Sequence, residues 1–190
     1  MQATALLKKL LEAESEEEVI SALNSEGLLQ ANDRWRYLGN MPNNQSVVHG
    51  QQSTPSAALV EKFTNGLDAI LLRHCKAKGI DPRGQNAPAT MADATELFFG
   101  ELTDVTKIRP LAEENLVLYA TGSKQRPCLS LFDAGEGQLA NDFPTTFCSL
   151  IYGSQDGSYK GAIPFVQGRF NMGGTGVLPF CSDKYKLQRR

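Results

Sequence analysis

Ala58-Leu59-Val60-Glu61-Lys62-Phe63-Thr64-Asn65-Gly66-Leu67-Asp68-Ala69-Ile70 is the stretch whose reading decides the fold. At about 100° per residue on a helix, Glu61, Asn65 and Asp68 fall within about 60° of one another. Phe63, Leu67, Ile70 and His74 fall on the far side, with Val60 and Leu71 on one flank. The polar and apolar stripes are therefore separate faces, and His74 lies on the predicted buried one. A plain surface helix also has two faces. Its wet side, however, favours long Lys and Glu, whereas Asn and Asp are poor formers of helix interiors. Gly66 weakens the helix by roughly 1 kcal/mol relative to Ala. Something other than helix stability explains these choices. Ser53 or Thr54 can cap the helix, Pro55 suits its first turn, and Gly79 is a stop after about Lys78.

Downstream, the pattern predicts a loop over 81–89, a short helix over 90–99 and strands over 115–120 and 128–132. The turn-rich link 121–127 suggests that the strands form a hairpin. The second strand runs into Asp133-Ala134-Gly135-Glu136-Gly137. A carboxylate at a strand end can accept hydrogen bonds, and two glycines let backbone come close to a flat ligand. Gly135-x-Gly137-x-x-Ala140 also matches the dinucleotide fingerprint in form, but that motif needs an uninterrupted helix, and Pro144 interrupts this one. A plain tight turn is the simplest alternative. Another short helix is expected over 142–152 and a last strand over 184–188.

Between them, Gly168-Arg169-Phe170-Asn171-Met172-Gly173-Gly174-Thr175-Gly176 precedes the apolar Val177-Leu178. A glycine loop feeding a helix N-terminus offers free backbone N–H groups to phosphates. No Gly-Lys-Ser/Thr follows, so it is not a P-loop. Taken alone it also reads as a linker.

Upstream, residues 3–23 read as one amphipathic helix carrying Leu6, Leu7, Leu10, Leu11, Val19, Ile20 and Leu23, with Glu16-Glu17-Glu18 as its solvated face. It is either a packed structural helix or a dimer arm. Residues 40–53 are polar and turn-rich and read as a loop. The hydrophobic fraction of 41% in 190 residues supports a real core. A net charge of -2 without a basic cluster argues against a dedicated nucleic-acid binder. Cys75, Cys128, Cys148 and Cys181 form no C-x-x-C pair, and with only His49 and His74 beside them they give a zinc site no support. No signal-peptide or membrane-spanning run is visible, so a cytoplasmic protein with reduced cysteines is expected.

In this order, the three motifs together resemble the GHKL ATPase superfamily. It includes the gyrase B subunit, the ninety-kilodalton heat-shock chaperone, the MutL and MORC proteins and the sensor histidine kinases. Glu61-x-x-x-Asn65-x-x-Asp68-Ala69 looks like the family's N box. Asp133-x-Gly135-x-Gly137 looks like its first glycine box, and Gly168-x-Phe170-x-x-Gly173-Gly174-x-Gly176 like its second. The joint order and spacing are far more specific than any one box.

The resemblance implies an α/β fold of the Bergerat type, a two-layer sandwich with helices on one face of a mixed, mostly antiparallel sheet. It implies residues 1–50 as a helical extension and loop, and 51–190 as the ATP-binding domain. It implies ATP and Mg2+ as ligands. Glu61 would be the general base that orients water, and Asn65 would hold the magnesium. Asp68 and Ala69 would support the nucleotide pocket, and Asp133 would accept from the adenine amino group. Gly135 and Gly137 would admit the base, and the loop of Asn171, Met172, Gly173, Gly174, Thr175 and Gly176 would bind phosphates. Residues 138–167 would be the lid. Glu61 is a carboxylate where histidine kinases typically carry Asn, so the chain looks like the hydrolysing branch. The expected outcome is slow ATP hydrolysis driving a conformational or dimerisation cycle. The alternatives are a nucleotide-gated binding module without turnover and a kinase of the histidine-kinase type. Gly66 stands where Ser or Ala is more usual, which loosens the helix, and Asn171 where many members have Gly. The second glycine box lies close to residue 190, so a fragment lacking C-terminal strands of a longer protein is expected.

Overall fold

The computed structural model describes residues 3–143, 146, 160–168 and 174–181. Among them the chain is mixed α/β, with six α-helices and one hairpin. The helices are α1 (Ala3–Glu12), α2 (Glu16–Ser25), α3 (Asn44–Gly50), α4 (Pro55–Ala77), α5 (Met91–Phe99) and α6 (Val105–Asn115). The strands are β1 (Leu116–Ser123) and β2 (Arg126–Asp133). With only Lys124-Gln125 between them, the two pair antiparallel. The hairpin is longer than expected and its link shorter. Gly122, inside β1 just before that link, takes a positive φ of 79°. Among the described residues the sheet has only these two strands, so Pro127 sits on an edge strand, where proline is tolerated. Among the described residues no helix is long and apolar enough to cross a membrane.

The chain divides into two compact units, residues 1–36 with 118–130, and residues 37–117 with 131–190. In the first, the single helix expected over 3–23 is instead two, α1 and α2, packed on each other. Ser15 caps the second: its Oγ accepts the Glu18 N–H at 3.3 Å. The Glu18 carboxylate reaches back to the Glu14 N–H at 2.8 Å, a reciprocal arrangement that fixes a helix start. Trp35 is anchored through its indole N–H, which donates to the Leu28 carbonyl at 2.7 Å.

The second unit holds the main core. Leu71, Leu72 and Cys75 of α4 pack with Ala94 of α5 and with Ile163, Phe165 and Val166. Phe98, Phe99, Met91 and Ile80 close its edges. Full burial of side chains such as Leu72 and Phe165 supplies about 1.5–3 kcal/mol each. The helix at Pro55–Ala77 forms as expected: Thr54 accepts the Ala57 N–H, and Gly79 follows with a positive φ of 69°. Two expectations fail here. The segment 40–53, read as a loop, contains α3, which packs against the turn Leu178–Phe180. A helix absent from the sequence reading, α6, forms over Val105–Asn115 despite an interior Pro110. Its Asp104 cap accepts the Thr106 N–H at 2.8 Å. Of the helix expected over 142–152, only residues 142, 143 and 146 are described, beside a 3-10 turn at Ala140–Asp142; the rest lies outside the described residues, as does the strand expected over 184–188.

The faces of α4 are not those the wheel suggests. Asp68 is 0% exposed and shares the inner face with Leu72 and Cys75, while Leu67 is 43% and Val60 62% exposed. Ile70 and Leu71 are buried as expected, and His74 is half-buried. The inversion at Asp68 has a physical cause: its carboxylate is satisfied by backbone donors, so hydrogen bonds offset the cost of burying a polar group.

Candidate functional site

Three segments meet on α4, and the meeting is built from small residues. Asp68 Oδ1 accepts the Gln167 N–H at 3.0 Å, and Oδ2 accepts the Gly168 N–H at 2.8 Å. A Cβ at Gly168 would stand 2.9 Å from Asn65 Oδ1 and 3.1 Å from Asp68 Oδ2. The backbone therefore passes directly over Asn65 and Asp68, and an added Cβ would press on the ends of both side chains.

The strand-end turn docks one helical turn further along. Ala134 N–H donates to the Asn115 carbonyl at 2.8 Å, and Glu136 N–H to the Ala69 carbonyl at 3.2 Å. A Cβ at Gly135 would lie 2.4 Å from Ala69 Cβ, nearer than carbon atoms can approach. A Cβ at Gly66 would lie 2.9 Å from Leu116 Cδ1 and 3.3 Å from Asp133 Cβ. Gly66 thus does not loosen α4, which runs unbroken through it. It makes room for the base of the hairpin. The Lys76–Glu136 ion pair and a 2.9 Å bond from Arg73 Nη2 to Asn115 Oδ1 hold the rim. Asp133 itself is exposed, with Oδ1 accepting the Gly135 N–H at 3.0 Å.

The N-terminal end of α4 carries a third cluster. Glu61 is half-buried and accepts from the Gln52 amide. Lys62 donates its ammonium to the Gly174 carbonyl. Burial pushes the Lys62 pKa below the usual lysine value, with Cys181 and Glu61 acting in the opposite direction. Thr175, which is buried, donates through Oγ1 to Gln51 Oε1 at 2.9 Å. Gln51 Nε2 is itself buried and has no acceptor.

Of the residues singled out in the sequence, the structure brings Asn65, Asp68, Ala69, Asp133 and Gly135 onto one stretch of α4, with Glu61 one turn before them. Gly174 and Thr175 reach the same helix region through Lys62 and Gln51, and Gly176 beside them is buried. Gly137 has a positive φ of 67°, but nothing stands within 4 Å of its Cβ position, so it is not packed on α4. Asn171, Met172 and Gly173 lie outside the described residues, as does half of the lid expected over 138–167. Gln51, Gln52 and Lys62 were not among the sequence candidates. The two glutamines sat in a segment read as loop, and the only signal was their place just before the α4 cap. Two surface clefts of about 360 and 500 Å³ lie along α5, and neither is lined by Glu61, Asn65, Asp68 or Asp133. No protein-family model matches this chain, and comparison with curated proteins and with solved structures finds no match.

Proposed function

We propose that this chain binds ATP with magnesium and hydrolyses it slowly, so that nucleotide turnover drives a conformational or dimerisation cycle. The observation that supports this most is the convergence on α4: Gly168 over Asn65 and Asp68, and Gly135 against Ala69. The motifs are far apart in the sequence, yet each glycine brings backbone close against a side chain of the helix that carries the acidic and amide residues. We further propose that the helices and the hairpin belong to a two-layer α/β sandwich with a larger sheet. The contact of Gly66 with Leu116 and Asp133 supports a helix lying against that sheet.

Each residue has work suited to its chemistry. The exposed Asp133 carboxylate has acceptor capacity beyond its single bond to Gly135, which fits recognition of an exocyclic amino group. Gly135 lets the strand-end turn pack directly on Ala69, which holds the Asp133 carboxylate beside α4. The Asn65 amide oxygen, beneath the Gly168 backbone, is a hard oxygen donor of the kind magnesium prefers. Bound there, magnesium would neutralise phosphate charge. Glu61, oriented by Gln52, is the group able to hold and polarise a water for in-line attack.

Calorimetric titration with a non-hydrolysable ATP analogue, with and without magnesium, tests the reading alongside Asp133→Asn. Saturable binding that magnesium strengthens and the substitution abolishes is the expected result. A folded wild-type chain that binds no nucleotide refutes it. Glu61→Ala then separates turnover from simple binding: hydrolysis should stop while binding persists. Release of phosphate, rather than transfer of label to protein, separates an ATPase from a kinase.

A further inference from the structure

The two glutamines before α4 join the turn at 174–177 to Glu61. Thr175, 2% exposed, donates its hydroxyl to Gln51 Oε1 at 2.9 Å. The next residue, Gln52, donates its side-chain amide to Glu61 Oε2. A carboxylate only accepts, so the nitrogen of the Gln52 amide is the atom that faces it. Neither glutamine is needed to start the helix, because Thr54 caps α4 by accepting the Ala57 N–H at 3.2 Å. Both glutamines are half-buried, and each side chain is held by a residue that the nucleotide reading uses.

A second contact ties the same link to the turn. The helix α3 ends at Gly50, and the Gln51 N–H donates to the Val48 carbonyl at 3.4 Å. Val48 is buried, and α3 packs against Leu178–Phe180, which follow the turn directly. Gln51 is therefore fastened to 174–180 twice, through its side chain and through the helix it ends. Neighbouring Cα atoms stand about 3.8 Å apart across a trans peptide, so a displacement of Gln51 is passed to Gln52.

At Glu61 such a displacement affects chemistry more than binding. A glutamate side chain is long and rotatable, and a general base must hold an oxygen within hydrogen-bond reach of the water it polarises. Lys62 and Glu61 attract each other as charges, but that attraction fixes no direction. The hydrogen bond from Gln52 does. With Gln52 on Oε2, Oε1 keeps acceptor capacity for a water. The link is also not in its best state. Gln51 Nε2 is buried with no hydrogen-bond partner among the described residues, so contacts made at the turn by a ligand can shift the arrangement.

We propose that Gln51 and Gln52 are positioning residues for Glu61, and that through Thr175 the turn at 174–177 sets the alignment of the general base. The turn then governs turnover separately from nucleotide affinity. This rests on the nucleotide reading given above.

The test uses the whole chain, with each variant shown by circular dichroism to be folded. Thr175→Val removes the hydroxyl and keeps the backbone N–H, whereas Thr175→Ser keeps both. In the nucleotide-free protein, the Gln52 side-chain amide signal is identified in proton–nitrogen NMR spectra by its loss in Gln52→Leu. It should shift in Thr175→Val and keep its wild-type position in Thr175→Ser. With ATP and magnesium, kcat should fall about tenfold or more in Gln52→Leu, Gln51→Leu and Thr175→Val, as misplacement of a catalytic group does. Thr175→Ser should keep most of it. Calorimetric affinity for a non-hydrolysable ATP analogue should stay within about threefold in all four. Thr175→Val combined with Gln52→Leu should be no slower than Gln52→Leu alone, because both act through one carboxylate. If Thr175→Val does not fold, Gln51→Leu replaces it in each measurement. A Gln52 signal indifferent to Thr175→Val, additive losses in the double variant, or affinity that falls in step with kcat overturns the proposal and leaves the nucleotide site standing. Wild type that binds the analogue but releases no phosphate from ATP overturns the role of Glu61 and this inference with it. Wild type that binds no nucleotide overturns the site reading itself.

Discussion

Gly135 leaves no room for a side chain, and that makes it the sharpest test of the site's geometry. An added Cβ would sit 2.4 Å from Ala69 Cβ and 3.0 Å from the Ala69 carbonyl carbon, and helix backbone cannot yield as a flexible side chain can. Gly135→Ala should cost about 1–3 kcal/mol, the range for overpacking, measured as a shift in the urea midpoint. It should also weaken nucleotide binding, because the turn carrying Asp133 must move off α4. Asp68 tests the other side. Asp68→Ala strands the Gln167 and Gly168 N–H groups, each costing about 1–3 kcal/mol if left without an acceptor. Asp68→Asn keeps one oxygen acceptor and should lose less, so an Asn variant as unstable as the Ala variant would contradict this account. The identities of these residues were legible in the sequence: Asn, Asp and Gly in one helix made little sense as helix formers. Their burial was not legible, because the donors that satisfy Asp68 stand about a hundred residues away, where no local pattern points back to it.

At the scale of elements, α4 could be read from end to end because its cap, first-turn Pro and glycine stop are all local signals. Thr54→Ala removes the acceptor of the Ala57 N–H and should cost about 1 kcal/mol, seen in thermal or urea unfolding. The break between α1 and α2 is equally local in cause, since Ser15 and Glu18 form a cap, but the run of leucines on both sides masked it. In α6, Pro110 removes a helical N–H and hid the element from a periodicity reading. The packing of α4 on α5 carries a pH dependence. His74 stacks on Phe98 with ring centroids 6.0 Å apart and meets Phe99 edge-on at 4.7 Å. Burial first, and then the positive charges of Arg73 and Lys78, hold its pKa below the ordinary histidine value. The unfolded chain therefore takes up the proton at higher pH than the folded one. Stability from this residue is full above about pH 6.5 and is lost as pH falls through the lowered folded value. Urea midpoints for wild type and His74→Gln between pH 5 and 8 should diverge as pH falls, with the wild type losing more. A constant difference across that range would show that His74 does not titrate on unfolding.

For the molecule as a whole, core and site of the larger unit are one construction. Ile163, Phe165 and Val166 are buried against α4 and α5, and the next two residues present the N–H groups that satisfy Asp68. The family resemblance implies a lid over 138–167, and Ile163-Pro164-Phe165-Val166 is too short to show a period that would mark it as core. The end of that segment supplies three of the core's buried residues, and so it fixes Gly168 over Asn65. This ties stability to binding in a measurable way. Phe165→Ala, 1% exposed in the native chain, should cost about 3–5 kcal/mol, as large aromatic truncations in cores do. Its effect on the site should exceed what the lost stability alone explains. At a temperature where circular dichroism shows the variant folded, residues 167 and 168 lose the anchor that holds their N–H groups on Asp68, so affinity for the ATP analogue should drop. Thr54→Ala, destabilised at the far end of α4's cap, provides the comparison: it should lose stability with little change in affinity. If both variants, held in their folded states, bind the analogue as wild type does, the core does not set the geometry of the site.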